Sequence, residues 1–555
     1  MSNIASLLDR LLTPTSFLIA VVIAIVAIHI FPFVFNSNGL RRYPGPLFAR
    51  LSNGWLAYLA YRGTINAHVY DAHKKYGTFV RIAPNQVSIA HPDALQLVYG
   101  HSSRALKSDF YDAVNHIGGT PSIFSTRSRE EHARKRKLIA NPLSQKGVME
   151  FEPIIQSYQR MLIKQWDEMC AAASKDLSGI RGVRPWKASD GRAWFDCMPW
   201  YNYIAFDIIG DLAFGSGFGM VERGTDGIQV AHSSEAAMDS YGDKEANLEH
   251  EHISAVDSIV VRGEYTTATA NLPKWFRPFV LIHPWYRAGH EAAMRVAKMA
   301  VTALAKRLSS QATRNDFITK LIDYRDEKGL PLERKVISAE SMVLLIAGSD
   351  TTSNSTCALT YYLAKYPEYQ KRLQKELDEV LGPADSSLDD SLGVCDDLFE
   401  RVKHLPYLEA VVNETLRLHT TVGIGLPRVV PEEGLTIFGE TFTPGTIVSV
   451  PTYTVHHDKS VWGEDADIYN PDRWFQRDKA SMKKAFVPFS VGPRACVGRN
   501  LGLMELTTLT AALFHRYEFS LQRPDQPLSV RDGFLRKPLG CTVGIRRRRD
   551  INLVT

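Results

Sequence analysis

The sequence predicts a mostly α-helical fold with a minor β portion. Helical patterns cover long stretches, of which residues 148–173, 291–311 and 338–365 are the clearest. Strand patterns are short by comparison. Residues 78–82 and 86–90 alternate apolar and polar side chains around Ala83-Pro84-Asn85, which is typical of a hairpin. We therefore expect helices to form most of the core and strands to form a small part of it.

Composition sets broad limits on the function. A chain of 555 residues with 45% apolar residues can bury a large core, and no repeat or Pro/Gly/Ser-rich linker divides it. The net charge of +5 does not indicate a nucleic-acid-binding protein. Six cysteines are scattered without CxxC pairs, which indicates a reducing compartment.

Residues 17–35 are almost continuously apolar and predict one N-terminal transmembrane helix, since a rise of about 1.5 Å per residue just spans a bilayer core of about 30 Å. The alternatives are a buried core helix and a cleaved signal peptide, although no A-x-A site follows. Arg41-Arg42 then places the rest of the chain in the cytosol by the positive-inside rule. We divide the chain into a membrane anchor (1–40), a proline-rich hinge (41–48) and one large domain (49–555).

The segment Phe489–Gly498 (FSVGPRACVG) places one cysteine in a constrained loop. Gly492-Pro493 predicts a turn, and Gly498 leaves room for a flat group beside Cys496. A helical pattern follows, so Cys496 is expected near a helix N-terminus, where a thiolate is favoured. A buried, inert cysteine is the alternative for a lone Cys.

This segment resembles the haem-ligand loop of the cytochrome P-450 superfamily, F-x-x-G-x-R-x-C-x-G, at every specified position. The resemblance implies the fold of that family, haem b (iron protoporphyrin IX) as cofactor and Cys496 as the ligand of its iron. Phe489, Arg494 and Gly498 would belong to the cofactor site. Residues 49–555 would then be the catalytic domain of a haem-dependent monooxygenase.

Within the helical stretch 338–365, the segment Ala347–Thr352 (AGSDTT) includes residues of low helix propensity, which favours a functional site. It matches the family's oxygen-activation motif. The resemblance implies that Thr351 donates a hydrogen bond to the dioxygen or a water and that Asp350 relays protons. The alternative is a helix bend caused by a threonine bonded to its own backbone.

Further motifs match the family in the expected order. His132 and Arg136 lie one turn apart on the basic helix 128–143. They would contact the haem propionates, although the family has Trp where His132 stands. Arg428 would bind a propionate as well. A buried structural triad is implied for Glu414, Arg417 and Arg473, although E-x-x-R by itself is weak and also fits a surface ion pair.

A narrower resemblance, to the fungal benzoate para-hydroxylases, extends over most of the body. The similar segments are residues 72–77, 80–84, 98–101, 107–112, 205–215 and 533–540. It implies conversion of benzoate to 4-hydroxybenzoate. Residues 174–191, expected to be a surface loop, and 221–284 are less typical. A sister monooxygenase with another aromatic or secondary-metabolite substrate therefore remains open, as do a haem-thiolate isomerase or dehydratase and a haem sensor.

Benzoate requires a cation or several hydrogen-bond donors, because a buried carboxylate without partners is costly. The candidates are Lys107 and Ser108 in the expected roof loop and Arg536-Lys537 near the C-terminus. The alternative is that these charges are solvated.

The resemblance also implies partners. No flavin or nicotinamide fingerprint is present, so electrons would come from an NADPH–cytochrome reductase, with cytochrome b5 as an additional donor. Part of the basic helix would form the donor-docking surface. The other expected partners are O2, a small aromatic substrate and the endoplasmic reticulum membrane.

Overall fold

The computed structural model describes residues 14–35, 38–239, 249–309, 316–325, 327–383 and 395–548. Residues 1–13, 36 and 37 of the predicted anchor lie outside the described residues. Within the described part, the fold is mostly helical with a smaller β portion, as predicted. The longer helices are Pro14–Phe35, Gly54–Arg62, Ile65–Tyr76, Arg129–Ala140, Glu152–Ala173, Met198–Phe214, Ala255–Ala270, Pro284–Ser309, Arg334–Lys365, Pro367–Leu381, Pro406–His419 and Arg499–Arg516.

Shorter helices connect these elements. They are Leu47–Leu51, Ala94–Tyr99, Gln145–Met149, Met220–Arg223, Ser234–Asp239, Phe317–Ile322, Leu398–Val402, Thr452–His456, Lys459–Trp462, Arg473–Gln476 and Lys479–Ala485. Single 3₁₀ turns cover Leu40–Arg42, Asp109–Val114, Arg277–Ile282 and Gly492–Arg494.

The strands form two larger sheets and separate hairpins. The first sheet has the order Phe79–Ala83, Gln86–Ile89, Ile447–Ser449, Arg428–Val429, Leu106–Lys107. The predicted hairpin at 78–90 is confirmed, because Val80 pairs with Ser88 and Arg81 with Val87 in antiparallel register. The hairpins are Leu435–Ile437 with Glu440–Phe442, Val530–Asp532 with Arg536–Pro538, and Gly227–Ala231 with His250–Ser254.

The expectation of a surface loop at 174–191 is wrong. Three strands, Gly179–Arg181, Arg184–Ser189 and Arg192–Asp196, extend a sheet whose other members are Tyr517–Leu521 and Thr542–Arg547. The first two strands pair with their neighbours in the chain, as in Ile180 opposite Pro185 and Ala188 opposite Ala193, and only Arg192–Asp196 pairs with the C-terminal strand. Asp190 and Gly191 have positive φ at the turn between the last two strands, so the Asp-Gly pair was a local hairpin signal that the expectation of a loop missed.

The predicted transmembrane helix is not supported. A helix does form at Pro14–Phe35. Over the part of the chain that the structure describes, however, no helix has both the length and the apolar content needed to cross a bilayer.

The main core lies where two helices cross. Helix Arg334–Lys365, here called the central helix, packs on Met198–Phe214, and both contribute to the largest apolar cluster. A Cβ at Gly348 would lie 2.5 Å from Ile209 Cγ1, so the glycine permits this close approach. The low-propensity residue at position 348 thus has a packing cause.

Candidate active site

A cavity of about 470 Å³ lies beside the central helix. The Cys496 loop, the helix Ala255–Ala270 (the roof helix) and the C-terminal hairpin 530–538 form its other walls. This volume is typical of small-molecule sites. The wall is mostly apolar and includes Phe489, Thr351 and Cys496 among its residues.

The Cys496 loop is held by its own backbone. The Cys496 N–H donates to the carbonyl of Phe489 at 2.9 Å. Gly492 has φ of 74°, and a Cβ there would lie 2.0 Å from the carbonyl oxygen of Tyr99. Only glycine fits this conformation, which explains the predicted turn at Gly492-Pro493. The Cys496 side chain is accessible from the cavity.

The free thiol is not held as a thiolate by the helix that follows. That helix begins at Arg499, three positions after the cysteine. Burial raises the pKa of Cys496, and this effect outweighs the opposing contributions of the Gly498 N–H and the Arg136 and Arg499 charges. A bound cation beside the sulfur would favour its anionic form.

A cluster of basic side chains lies at one side of the cavity, where Lys107, His132 and Arg494 line the wall. Arg428, a predicted propionate ligand, does not line the cavity but lies close enough to Lys107 and Arg494 for its charge to act on both. Lys107 and Arg428 are 5% and 3% exposed. Burial, with the charges of Arg428 and Arg494, lowers the pKa of Lys107 well below its usual value. Burial and the same kind of repulsion from Arg494 lower the pKa of His132 to about 3.

Hydrogen bonds orient the two arginines of this cluster. Arg428 Nη1 donates to Tyr111 Oη at 2.9 Å, and Arg494 Nη1 donates to the carbonyl of Thr126 at 2.8 Å. Among the described residues, no carboxylate forms an ion pair with Lys107, Arg428 or Arg494. Mutual repulsion in a buried cluster is relieved by an anionic group.

Arg136 contacts the cysteine loop. Its Nη1 donates to the carbonyl of Ala495 at 2.7 Å, the residue directly before Cys496. Arg136 lines the cavity as His132 does, and its hydrogen bond to Ala495 supports the cysteine loop. The i,i+4 pair therefore combines one residue of the basic cluster with one that positions the loop.

Haem fits these residues. The basic cluster suits two propionates. A Cβ at Gly498 would contact only the Cys496 sulfur, at 4.0 Å, so the face above the thiol is open. Apolar side chains such as Phe489, Leu501 and Val487 line the surrounding wall. A Cys-ligated haem requires a thiol for its iron, an open backbone face for its ring and cations for its propionates.

Thr351 and Asp350 both line the cavity but have different partners. Thr351 Oγ1 donates to the carbonyl of Ala347 at 2.7 Å, the back-bonded arrangement considered above. Asp350 is 7% exposed and accepts from Lys537 Nζ at 3.0 Å. The ion pair links the central helix to the C-terminal hairpin.

Glu414, Arg417 and Arg473 come together in a fully buried network. Arg417 donates to both carboxylate oxygens of Glu414, at 2.8 and 2.9 Å, and Arg473 Nε donates to Oε1 at 2.9 Å. None of the three lines the cavity. The arrangement therefore supports the structure and does not contact the reacting groups.

The predicted substrate-binding residues are only partly placed at the cavity. Lys107 lines it, but within the basic cluster. Ser108 is 1% exposed and its hydroxyl accepts from the Phe110 N–H at 3.3 Å, which caps a 3₁₀ turn. Arg536 faces away from the cavity and donates to the carbonyl of His419 at 2.8 Å. Adjacent strand residues point to opposite faces, so Lys537 faces the cavity instead.

Sequence reasoning missed two buried ionisable residues of the cavity wall. Glu505 lies on the helix that follows Cys496 and accepts from Thr352 Oγ1 at 2.8 Å. Arg262 lies on the roof helix, in the region whose pattern was poor. A single basic residue within an apolar and threonine-rich run, IVVRGEYTTATA, was the available signal for Arg262.

Comparisons with known proteins agree with this site. The family model described as Cytochrome P450 matches residues 44–544. A benzoate 4-monooxygenase of Aspergillus niger is 38% identical over 534 residues, covering 95% of this chain and 96% of the relative. The cytochrome P450 monooxygenase gsfF of Penicillium aethiopicum is 28% identical, with 92% and 94% covered. The family implies a haem cofactor, a redox partner and O2. From the matched length and the cysteine-centred cavity, we conclude that this chain belongs to the cytochrome P450 family and is a haem-thiolate monooxygenase, an oxidoreductase.

Proposed function

We propose that this enzyme hydroxylates benzoate at the para position, with haem b as its cofactor. The similarity to the Aspergillus niger benzoate 4-monooxygenase, which extends over nearly the whole of both chains, carries this proposal. The balanced reaction is benzoate + O2 + NADPH + H⁺ → 4-hydroxybenzoate + H2O + NADP⁺. The apolar cavity of about 470 Å³ supports a small aromatic substrate.

Different residues of the chain have different roles in the proposed reaction. The Cys496 sulfur would hold the iron, and Lys107, His132, Arg428 and Arg494 would bind the propionates. When bound, the haem supplies the activation of dioxygen. Thr351 donates a hydrogen bond near the reacting atoms once its hydroxyl turns away from the Ala347 carbonyl. Asp350, oriented by Lys537, passes protons from the hairpin side towards Thr351.

Electrons come from an NADPH–cytochrome reductase in this proposal, with cytochrome b5 as an additional donor. Arg129, Arg134 and Lys137 are exposed on the helix Arg129–Ala140, which also carries Arg136 beside the cysteine loop. An exposed positive surface near the cysteine suits an acidic partner. Weaker reductase coupling at high ionic strength would support this assignment.

The proposed location is the endoplasmic reticulum membrane, with the attachment segment at 1–40, the hinge at 41–48 and the catalytic domain at 49–555. Exposed apolar side chains support attachment to a lipid surface. In helix Pro14–Phe35, Leu18 is 63% and Phe35 is 66% exposed. A second exposed group comprises Trp275, Phe279 and Ile282.

The test is a substrate titration of the haem-loaded enzyme, followed by product analysis with reductase and NADPH. Benzoate should give a high-spin spectral shift and 4-hydroxybenzoate, and methyl benzoate should bind more weakly. A shift with a bulky neutral aromatic but none with benzoate would favour the alternative of a sister monooxygenase. Turnover without O2 consumption would contradict the monooxygenase reaction itself.

A further inference from the structure

Arg262 is a buried cation in the wall of the cavity. It is 9% exposed and lies in the middle of the roof helix. Its Nε is buried without a hydrogen-bond partner. Among the described residues, no side chain forms an ion pair with its guanidinium. Within the described part of the chain, its donors therefore face the cavity without a side-chain anion.

Such an arrangement is unfavourable without a ligand. Burial lowers the pKa of Arg262 to about 10, while the charge of Asp350 opposes this shift. The guanidinium is therefore still charged at neutral pH. A buried charge without hydrogen bonds destabilises a protein, so buried arginines are normally paired with an anion.

Among the described residues, Arg262 has no ion-pair partner of its own on this wall, although the charge of Asp350 favours its charged form. Asp350 is paired with Lys537 at 3.0 Å. Glu264, which also lines the cavity, is ion-paired with Arg531. The two carboxylates are thus paired with Lys537 and Arg531, and Arg262 is the third cation. The excess of one positive charge suits a ligand with a single negative charge.

Neutral groups also lie near Arg262. His116 and Thr266 lie together, with His116 Nε2 at 3.2 Å from Thr266 Oγ1. Burial and the nearby charge of Arg262 lower the pKa of His116 well below its usual value, so this imidazole adds no second cation. A Cβ added to Gly263 would meet no atom within 4 Å, which leaves open space directly beside Arg262.

We propose that Arg262 forms a carboxylate-binding subsite and selects aromatic monoacids over neutral aromatics. The guanidinium fork would bind the two carboxylate oxygens, and the apolar wall, including Val343 and Phe534, would contact the ring. This inference rests on the proposed monooxygenase of aromatic acids and names the residue that recognises the acid. In this proposal the substrate carboxylate is not bound by Lys107, Ser108 or Arg536.

The experiment compares benzoate with benzamide, which has nearly the same shape but no charge. Binding to the haem-loaded enzyme is measured by calorimetry and by the ligand-induced rise in Tm. Wild-type enzyme should prefer benzoate. Arg262→Gln should weaken benzoate binding by about tenfold to a hundredfold and leave benzamide binding within about twofold. Arg262→Lys should be intermediate, since it keeps the charge but not the fork.

Arg287→Gln is the matched control, because it removes the same charge from an exposed site on the neighbouring helix. It should leave both affinities unchanged. A second readout does not depend on ligand. Arg262→Met removes an unpartnered buried charge and should raise the Tm of the substrate-free enzyme. A lower Tm would show that Arg262 has a structural partner and would overturn the inference.

The outcomes separate this inference from the proposed function. If Arg262→Gln keeps the benzoate preference while wild-type enzyme forms 4-hydroxybenzoate, the subsite is wrong and the function stands. If wild-type enzyme instead prefers phenylacetate or cinnamate to the matching amide, and Arg262→Gln abolishes this, the subsite stands and the benzoate assignment fails. If wild-type enzyme prefers no acid to its amide, the subsite is wrong.

Discussion

Thr351 and Thr356 lie on the same central helix and make the same local contact. Each hydroxyl donates to the carbonyl four residues earlier, at 2.7 Å for Thr351 and 2.9 Å for Thr356. Only Thr351 lines the cavity. Comparing variants of the two threonines therefore distinguishes a role in chemistry from a role in helix geometry.

We expect Thr351→Ala to keep its haem and its affinity for substrate while more electrons are diverted to peroxide. Loss of a positioned donor should lower product formed per NADPH by roughly tenfold or more. Product, peroxide and NADPH are measured together in the reductase-coupled reaction. Thr356→Ala should retain wild-type coupling. Unchanged product per NADPH in Thr351→Ala would rule out its assigned role.

Glu505 gives a prediction about pH. Burial raises its pKa to about 8, although the Thr352 hydroxyl opposes the shift. The folded state thus binds a proton that the unfolded state releases above about pH 4.5. The contribution of Glu505 to stability is therefore lost as pH rises between these values, with a slope of up to about 1.4 kcal/mol per pH unit.

Glu505→Gln should remove this loss of stability. The free energy of unfolding of the variant should therefore rise relative to that of wild type from pH 5 to pH 8. Urea unfolding at several pH values measures it. Glu379→Gln, at an exposed position, is the control. A difference that does not vary with pH would show that Glu505 is not held neutral.

At the scale of elements, the Glu414 network connects helix Pro406–His419 to the segment around Arg473. Arg473 also contacts Asp465 at 3.0 Å, and so does the more exposed Arg477, at 3.2 Å. Two arginines therefore share one acidic partner in very different environments. One pair lies within the buried network and the other lies near the surface.

Arg473→Gln should lower the free energy of unfolding by about 3–5 kcal/mol, because it leaves buried charge without its partner. Arg477→Gln should cost less than about 1 kcal/mol, as is usual for exposed pairs. Denaturant unfolding followed by circular dichroism compares the two. Equal losses would contradict the view that burial makes the Glu414 network structural.

Prediction from sequence succeeded where an element depends on its own residues. The central helix, expected at 338–365, is observed at Arg334–Lys365, and the hairpin at 78–90 forms in the expected place. It failed at 174–191, where the Asp190-Gly191 hairpin turn was not recognised and only the next strand, Arg192–Asp196, joins a distant part of the chain. It also named Arg536 and Lys537 together, whereas strand alternation turns only Lys537 to the cavity.

At the scale of the whole molecule, two of the groups of exposed apolar side chains bear on membrane attachment. One is helix Pro14–Phe35, and the other is the group Trp275, Phe279 and Ile282, which are 57%, 57% and 81% exposed. Monomeric soluble proteins rarely leave such groups uncovered. Both are suited to contact with lipid.

We expect deletion of residues 1–35 to leave a folded, haem-loaded enzyme that binds phosphatidylcholine vesicles more weakly. Changing Trp275, Phe279 and Ile282 to Ser in the deleted chain should abolish the remaining binding, because apolar area is removed from the lipid contact. Co-sedimentation with vesicles measures this. Loss of haem on deletion would contradict the division into attachment segment and catalytic domain.

The sequence by itself determined the family, the cysteine loop and the order of the main motifs. These features are set by spacing within about ten residues, as in Phe489–Gly498, or by one helical period, as in Glu414 and Arg417. Local spacing survives in any fold that the chain adopts, and so it can be interpreted without coordinates.

The tertiary structure alone decided which distant groups meet. It paired Asp350 with Lys537, left Arg262 uncompensated in the cavity wall and buried Ser108 in a turn. It also brought the sulfur atoms of Cys197, Cys357 and Cys541, scattered in the sequence, within 4.8 Å of one another. Burial and charge balance arise from contacts between elements far apart in the chain, and no local pattern specifies them.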